Sequence, residues 1–159
     1  MLDSEKTKKT SLNLYERPYL GTVGAIALDK NGNLAAATST GGMTNKMTGR
    51  IGDSPIIGSG TYADNDSVAV SCTGIGDIYM RVNAAHEVSA LYKYKTSDVQ
   101  KAAEESVKEV AALGGSGGII SIDKYGKTGF AWTKDKLGMY HGEARLGAKP
   151  VVYWPLGEK

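Results

Sequence analysis

The chain has 159 residues, which is enough for one domain that buries a core. Apolar residues make up 41% and charged residues 23%, and the net charge of +2 is too small to indicate a nucleic-acid or membrane partner. No stretch reaches the roughly 18 apolar residues of a membrane span, residues 1–19 lack the apolar core of a secretory signal, and the single cysteine excludes an internal disulfide, so we expect a cytoplasmic protein.

The first half of the chain is predicted to be a leader followed by four strands. Residues 1–20 are polar and rich in lysine, and they carry too few apolar side chains to become ordered, so we predict a flexible leader. An Asn-Gly pair at residues 31–32 separates two strand-like runs and is a strong signal for a hairpin. A glycine-rich loop follows at residues 41–55. The four strands are predicted at residues 22–29, 34–40, 56–63 and 67–73.

Two helices are predicted after the fourth strand. Apolar residues recur along one side of residues 76–93, as in an amphipathic helix, and Asp77 is predicted to be its N-cap. Ser97 is the predicted N-cap of the second helix, with Asp98 in the first turn where a negative charge suits the helix dipole. The glycine pair at residues 114–115 is predicted to end this helix.

The order of the predicted elements indicates an α+β fold. Further strands are predicted at residues 118–123, 128–133 and 151–154. Strands, then two adjacent helices, then strands again fit an antiparallel sheet with helices on one face. The strand segments are apolar or small on both sides, so we expect the other face of the sheet to be buried against a second layer.

Hydroxyl side chains cluster at the ends of the first two predicted strands. Thr22 begins the first strand directly after Gly21. Alternation places Thr38 and Thr40 on one face of the second strand and Ser39 on the other. A threonine hydroxyl becomes a nucleophile when a base takes its proton, and a free N-terminal amine with a pKa near 7.7–8.0 is such a base. Taken alone, Thr22 also fits a β-branched residue that opens a strand.

Two further pairs of residues suit the binding and chemistry of a zwitterionic amide. Arg50 has the planar fork that binds a carboxylate, and Asp53 can accept hydrogen bonds from an ammonium group. The alternative is an exposed ion pair of little consequence. The hydroxyl of Thr73 and the backbone N–H of Gly74 are suitable donors for an oxyanion, although a strand that ends in a glycine turn has the same sequence.

The remaining candidate groups are interpreted more simply. Cys72 is predicted to be a small buried residue. His86 and His141 are too few for a metal cluster, so no metal and no cofactor is expected. The glycine run at residues 114–118 follows a helix and precedes a strand, which is the reverse of the order in a phosphate-binding loop.

Four segments in order carry a resemblance to a known family. They read GTVGAIALD at residues 21–29, ATSTGGMTNK at residues 37–46, GRIGDSP at residues 49–55 and SCTG at residues 71–74. Together they resemble the start of the catalytic subunit of plant-type asparaginases, also called isoaspartyl peptidases, which are N-terminal nucleophile hydrolases. The resemblance implies half of a four-layer αββα sandwich, with a first subunit that supplies the second sheet and its helices.

The resemblance also implies roles for individual residues. It implies autocleavage between Gly21 and Thr22, so that residues 1–21 form a linker and residues 22–159 form the catalytic subunit. It implies hydrolysis of L-asparagine and of β-aspartyl dipeptides. The implied roles are a nucleophile (Thr22), a hydroxyl that orients it (Thr40), a substrate clamp (Arg50 and Asp53), an oxyanion hole (Thr73 and Gly74) and pocket-lining glycines (Gly115 and Gly117). His141 falls near a segment that lies close to the active site in the family.

Three expectations about partners and alternatives follow. The first, or alpha, subunit is not found in these 159 residues, and the resemblance implies a homo-oligomer of αβ units. A glycosylasparaginase-like amidase shares the Thr-Ser-Thr and Gly-Arg-Ile-Gly-Asp-Ser-Pro features, although the lack of a secretory signal favours the asparaginase. The chain also fits a catalytically silent fragment that lacks its first subunit.

Overall fold

The structure is a computed structural model that describes residues 21–134 and 139–153. The predicted leader and the end of the last predicted strand, at Trp154, lie outside the described residues. The described strands are β1 (Thr22–Leu28), β2 (Leu34–Thr40), β3 (Thr61–Ala63), β4 (Val68–Gly74), β5 (Gly117–Asp123), β6 (Thr128–Trp132), β7 (His141–Glu143) and β8 (Val151–Tyr153). The described α-helices are α1 (Gly76–Val82), α2 (Ala84–Leu91) and α3 (Val99–Ala112), with a π-helical turn at Tyr92–Thr96 between α2 and α3.

A four-stranded antiparallel sheet of order β3-β4-β5-β6 forms the centre of the fold. Alternate residues of β4 point to the helices, so that Val68, Val70 and Cys72 join the main apolar core. Ile119 of β5 belongs to the same core, together with apolar residues of all three helices. The prediction of an antiparallel sheet with helices on one face is therefore confirmed, as is the burial of Cys72.

The hairpin of β1 and β2 packs against the opposite face of this sheet, where both strands contact β4. The hydroxyls of Thr38 in β2 and Ser71 in β4 are 2.6 Å apart across this contact. The sequence interpretation assigned the whole second sheet to another subunit, and this is wrong for the hairpin. Alternation along a strand predicts which side chains share a face, but it does not show which layer the strand joins.

The outer face of the hairpin is apolar and exposed. In the antiparallel register Val23 faces Ser39, and two pairs of alanines follow along the strands. The Val23 side chain is 71% exposed. All six residues of this face are exposed, namely Val23, Ala25, Ala27, Ala35, Ala37 and Ser39.

The single helix predicted at residues 76–93 is broken at Asn83. This residue adopts the left-handed conformation with φ of 55°, ends α1 and precedes α2. Asn83 also lies beside Gly58, where an added Cβ would come within 2.6 Å of the Asn83 amide oxygen. The predicted cap at Asp77 is wrong, because Ile75 occupies the N-cap position and Asp77 lies in the first turn of α1.

Two other predicted boundaries are also corrected. Ser97 does not cap α3: it has a left-handed φ of 53°, and the cap is Asp98, whose carboxylate accepts from the Lys101 N–H at 3.1 Å. The third strand was predicted at residues 56–63, but β3 covers only Thr61–Ala63. Turn hydrogen bonds from the N–H groups of Ile56 and Gly60 occupy the backbone before it. No helix in the described part of the chain is long and apolar enough to cross a membrane.

Candidate active site

The start of β1 and the end of β2 bring Thr22 and Thr40 together. The two residues are opposite each other in the antiparallel register. The Thr40 hydroxyl donates to the carbonyl oxygen of Gly21 at 2.8 Å and accepts from the Gly42 N–H at 2.9 Å. The Thr40 hydroxyl therefore donates to the carbonyl of the peptide bond that joins Gly21 to Thr22.

The end of β4 carries Thr73 and Gly74 against the start of β5. Gly74 is opposite Gly117 in the register, and both glycines have positive φ, of 151° and 155°. A Cβ at Gly74 would lie 2.3 Å from the Ser116 carbonyl oxygen, and a Cβ at Gly117 would lie 2.0 Å from the Thr73 carbonyl oxygen. Only glycine therefore fits at these two positions, because the facing backbone and Tyr79 fill the space that a side chain would need.

Tyr79 of α1 lies directly beneath Gly74 and Gly117. A Cβ at Gly74 would come within 2.6 Å of its ring, and one at Gly117 would come within 2.7 Å of its hydroxyl. Tyr79 is fully buried. The sequence analysis did not single out this residue, and an aromatic side chain on the apolar side of a helix gives no signal that separates it from ordinary core.

Arg50 and Asp53 approach each other at the start of α1. A Cβ at Gly76 would lie 2.7 Å from an Asp53 carboxylate oxygen and 3.3 Å from an Arg50 guanidinium nitrogen. Gly76 follows Gly74 by two residues, so this pair lies next to the Thr73-Gly74 turn.

Asp53 is an unusual carboxylate because it is only 6% exposed. Within residues 21–134 and 139–153 its Oδ2 atom has no hydrogen-bond partner. Burial raises the pKa of Asp53, although backbone N–H groups and the Arg50 charge act in the opposite direction. Burial and the nearby Asp53 charge also raise the pKa of Cys72 well above its ordinary value.

Two cavities are lined in part by the paired threonines, one by Thr22 and the other by Thr40. A cavity of about 640 Å³ runs along β1, and its lining includes Thr22 and Thr73. A second cavity, of about 350 Å³, lies between the end of β2 and the glycine-rich loop, and its lining includes Thr40 and Arg50. The predicted site residues are therefore divided between two cavities beside the hairpin, and Asp53, Gly74 and Gly117 line neither of them.

The two predicted pocket glycines have different surroundings. Gly117 adjoins Thr73 and Gly74, as described above. Gly115 is packed under the end of α3, where an added Cβ would lie 2.6 Å from Val110 and 2.7 Å from Ile78, and it lines neither cavity. Contact of either glycine with a substrate stays a prediction.

Two further residues, His141 and Thr38, lie beside the predicted site residues. His141 lines the first cavity and stacks on Tyr153, with ring centroids 4.7 Å apart. Thr38 is half-buried, and its hydroxyl bonds to the Gly60 carbonyl and the Ser71 hydroxyl. The sequence indicates a position near Thr40 for this side chain, because alternation along the strand puts Thr38 and Thr40 on the same face. No group of three or more His, Cys, Asp or Glu side chains is placed to hold a metal ion among the described residues.

Comparison with known proteins agrees with the motifs. A family model described as asparaginase matches residues 2–149. An isoaspartyl peptidase of Escherichia coli (strain K12) is 51% identical over 140 residues, which are 87% of this chain and 43% of that protein. An isoaspartyl peptidase/L-asparaginase of Homo sapiens is 43% identical over 137 residues, which are 86% of this chain and 44% of that protein. A putative isoaspartyl peptidase/L-asparaginase of Dictyostelium discoideum is 51% identical over 123 residues, which are 77% of this chain and 35% of that protein.

The chain spans less than half the length of these curated relatives. Within that span the similarity covers most of the chain, including the four segments that carried the resemblance. The family model and the similarity to these relatives confirm the resemblance. The chain belongs to the asparaginase family.

Proposed function

We propose that this chain forms the catalytic part of a hydrolase that cleaves L-asparagine and β-aspartyl dipeptides with Thr22 as an N-terminal nucleophile. The observation that carries the proposal is the hydrogen bond from the Thr40 hydroxyl to the Gly21 carbonyl, on a strand paired with Thr22. This contact places a donor on the carbonyl of the bond whose cleavage frees the Thr22 amine. The names of the relatives agree with both substrates.

The proposed first reaction is autocleavage before Thr22. The Thr22 hydroxyl oxygen attacks the Gly21 carbonyl carbon, the C–N bond breaks, and the acyl group passes from nitrogen to oxygen as an ester. The hydroxyl proton passes to the departing nitrogen, so this step already frees the Thr22 amine. Water then hydrolyses the ester, which releases the Gly21 carboxylate and restores the Thr22 hydroxyl. The Thr40 hydroxyl stabilises the negative charge that develops on the Gly21 oxygen during the attack.

The proposed second reaction uses the same hydroxyl on a bound amide. The free amine of Thr22 takes the hydroxyl proton, and the oxygen attacks the side-chain carbonyl of the substrate. The Thr73 hydroxyl and the Gly74 N–H donate to the resulting oxyanion, and ammonia or an amino acid leaves with the proton. Water then hydrolyses the acyl-threonine and releases aspartate.

Substrate specificity is assigned to Arg50 and Asp53. Asparagine and β-aspartyl dipeptides share one carbon that bears an α-carboxylate and an α-ammonium group. Arg50 binds the carboxylate through two parallel hydrogen bonds, and the buried Asp53 accepts from the ammonium group. Holding both groups fixes the distance from the substrate carbonyl to Thr22. Gly115 and Gly117 remain proposed lining residues of the same pocket.

The proposal includes a partner polypeptide, a linker and a location. The relatives are more than twice as long as the segment matched here, and the outer face of the β1–β2 hairpin is apolar and exposed. An exposed apolar face of this kind favours association, so we assign it to a first subunit that completes the second sheet. Residues 1–21 are then the linker and residues 22–159 the catalytic subunit, in a cytoplasmic homo-oligomer of αβ units.

The decisive experiment replaces Thr22 in the protein expressed together with a first subunit. Thr22→Ala is expected to remain uncut and to release no ammonia from asparagine, because one hydroxyl serves both reactions. Thr22→Ser is expected to retain part of each activity. Intact mass measures the cleavage, and ammonia release measures the hydrolysis. Thr96→Ala is the matched control, since it removes a threonine hydroxyl at the end of the π-helical turn, outside both cavities. Ammonia release by Thr22→Ala at a rate comparable to the unmodified protein would contradict the nucleophile assignment.

A further inference from the structure

One hydroxyl contact between the two layers lies beside the proposed active site. The Thr38 hydroxyl donates to the Gly60 carbonyl oxygen at 2.9 Å and lies 2.6 Å from the Ser71 hydroxyl. A hydroxyl has one proton, so with the Thr38 proton on Gly60 it is Ser71 that donates to Thr38. Ser71 is only 3% exposed.

The contact fits beneath a glycine of the hairpin. Gly24 is opposite Thr38 in the register of β1 and β2. A Cβ at Gly24 would lie 2.2 Å from the Ser71 hydroxyl oxygen and 2.9 Å from its Cβ. The absence of a side chain at Gly24 therefore lets the Ser71 hydroxyl reach the underside of the hairpin.

The contact has the same spacing from three proposed site residues. Gly24 follows Thr22 by two residues, Thr38 precedes Thr40 by two, and Ser71 precedes Thr73 by two. Two residues of a strand span roughly 6.6 Å and return to the same face. The contact between Thr38 and Ser71 therefore lies roughly 6.6 Å along the strands from Thr22, Thr40 and Thr73.

The hairpin is held to the central sheet at its other end by a different group. The Asn65 amide oxygen accepts from the Leu34 N–H at 2.7 Å, and its nitrogen donates to Asn33 at 3.2 Å. These bonds lie beside the turn between β1 and β2, far along the strands from Thr22. Near the site, the Ser71–Thr38–Gly60 chain fixes the hairpin against the sheet.

We propose that Thr38 and Ser71 are positioning residues that set the register of the nucleophile hairpin on the oxyanion strand. This inference rests on the proposed function, because it acts through Thr22 and Thr73. Without the contact the hairpin end is free to shift, and the distance from the Thr22 hydroxyl to the Thr73-Gly74 turn is no longer fixed. Misplacement of reacting groups by about 1 Å costs on the order of 10²-fold in rate.

The test compares Thr38→Val with two milder variants, each expressed with a first subunit. Thr38→Val keeps the shape but removes both hydrogen bonds, Ser71→Ala removes one, and Thr38→Ser keeps both. We expect kcat for a β-aspartyl dipeptide, per site with a free Thr22 amine, to fall about 10- to 100-fold in Thr38→Val and less in Ser71→Ala. Thr38→Ser should stay near the unmodified protein. In Ser71→Ala, KM should change by less than about threefold, because Ser71 does not line the cavity that Thr38 shares with Arg50.

Ser67→Ala is the matched control for stability. The hydroxyls of Ser67 and Ser89 are 2.8 Å apart, both buried, and lie at the opposite end of β4 on the helical side of the sheet. This variant also loses a hydroxyl pair from the same part of the chain, but it leaves the hairpin contact intact. We expect it to lower thermal stability and to leave kcat per processed site unchanged.

The outcomes separate this inference from the proposed function. If the unmodified protein hydrolyses neither substrate, or if Thr22→Ala is active, the proposed function fails and this inference fails with it. If Thr22→Ala is silent but kcat per processed site is unchanged in Thr38→Val, the positioning role alone is overturned. If Thr38→Val does not fold, unchanged kcat in Ser71→Ala overturns it instead. A drop of kcat in Ser67→Ala as large as in the hairpin variants would also overturn it, since it would show a general effect of stability.

Discussion

Replacing Asp53 by asparagine is expected to stabilise the protein while removing its activity. The Asp53 carboxylate is nearly fully buried, and among the described residues its Oδ2 atom has no hydrogen-bond partner. Burial raises its pKa despite the Arg50 charge and the neighbouring backbone N–H groups, so desolvation exceeds the favourable contacts. An amide of the same shape carries no charge to desolvate. We expect the free energy of unfolding at pH 7 to rise by about 0.5–2 kcal/mol.

The pH dependence of this gain has a definite sign. Because the pKa of Asp53 is raised above 3.8 in the folded protein, that state binds the proton more readily than the unfolded chain. The unmodified protein therefore loses stability as pH rises from 3.8 through the raised pKa, whereas Asp53→Asn does not. The advantage of the variant should be full at pH 7, shrink as pH falls through the raised pKa, and vanish below about 3.8.

Catalysis should change in the opposite direction. The neutral amide introduced by Asp53→Asn cannot provide the negative charge for the substrate ammonium, so kcat/KM for asparagine should fall roughly 10²- to 10³-fold. Urea unfolding at several pH values measures the stability, and ammonia release measures the activity. Asp66→Asn is the control, because it removes the same charge from an exposed turn. If Asp53→Asn is less stable than the unmodified protein at pH 7, burial does not destabilise the Asp53 charge. If the variant keeps its kcat/KM, the Asp53 charge does not bind the substrate. Either result would refute the reasoning.

Two other changes test the remaining parts of the site. Arg50→Lys replaces a bidentate fork by a point charge, and it should cost on the order of 2–5 kcal/mol in kcat/KM for asparagine and β-aspartyl dipeptides alike; unchanged kinetics would remove Arg50 from the site. Gly74→Ala should lower the free energy of unfolding by about 2–4 kcal/mol and abolish hydrolysis, because the Cβ meets the Ser116 carbonyl at 2.3 Å in addition to the positive φ. Gly32→Ala, which has a positive φ but an open surrounding, should cost only about 1–2 kcal/mol in urea unfolding, and equal losses in the two variants would contradict the steric argument.

The sequence indicates the residues proposed for the chemistry, but it does not indicate the residues that pack against them. Thr22, Arg50 and Asp53 are proposed site residues because the family resemblance gives each residue type a specific chemical task in a motif of fixed spacing. Tyr79 and Ser71 have no such task of their own, since they act through packing and a single hydrogen bond. Their roles depend on which strand lies over which, and the sequence pattern does not encode that relation directly.

The helical region shows the same limit in local structure. The apolar spacing of residues 76–93 continues across Asn83, so periodicity alone predicts one helix. Asparagine tolerates the left-handed conformation at low cost, and the Asn83 side chain approaches Gly58 and the Ser59 hydroxyl in the loop before β3. A tertiary contact outside the helix therefore accompanies the break, and no window of sequence around Asn83 contains that contact.

Four glycines near the site are required by the close approach of other parts of the protein, namely Gly24, Gly74, Gly76 and Gly117. Each admits an atom of Ser71, Asp53 or the facing backbone to within 3 Å of where a Cβ would be. Each also lies within three residues of a proposed catalytic or clamp residue, or opposite one in the sheet. The spacing of these glycines therefore determines how closely the nucleophile strand, the clamp loop and the oxyanion turn approach one another. Substituting them is expected to separate the elements before it alters any reacting group.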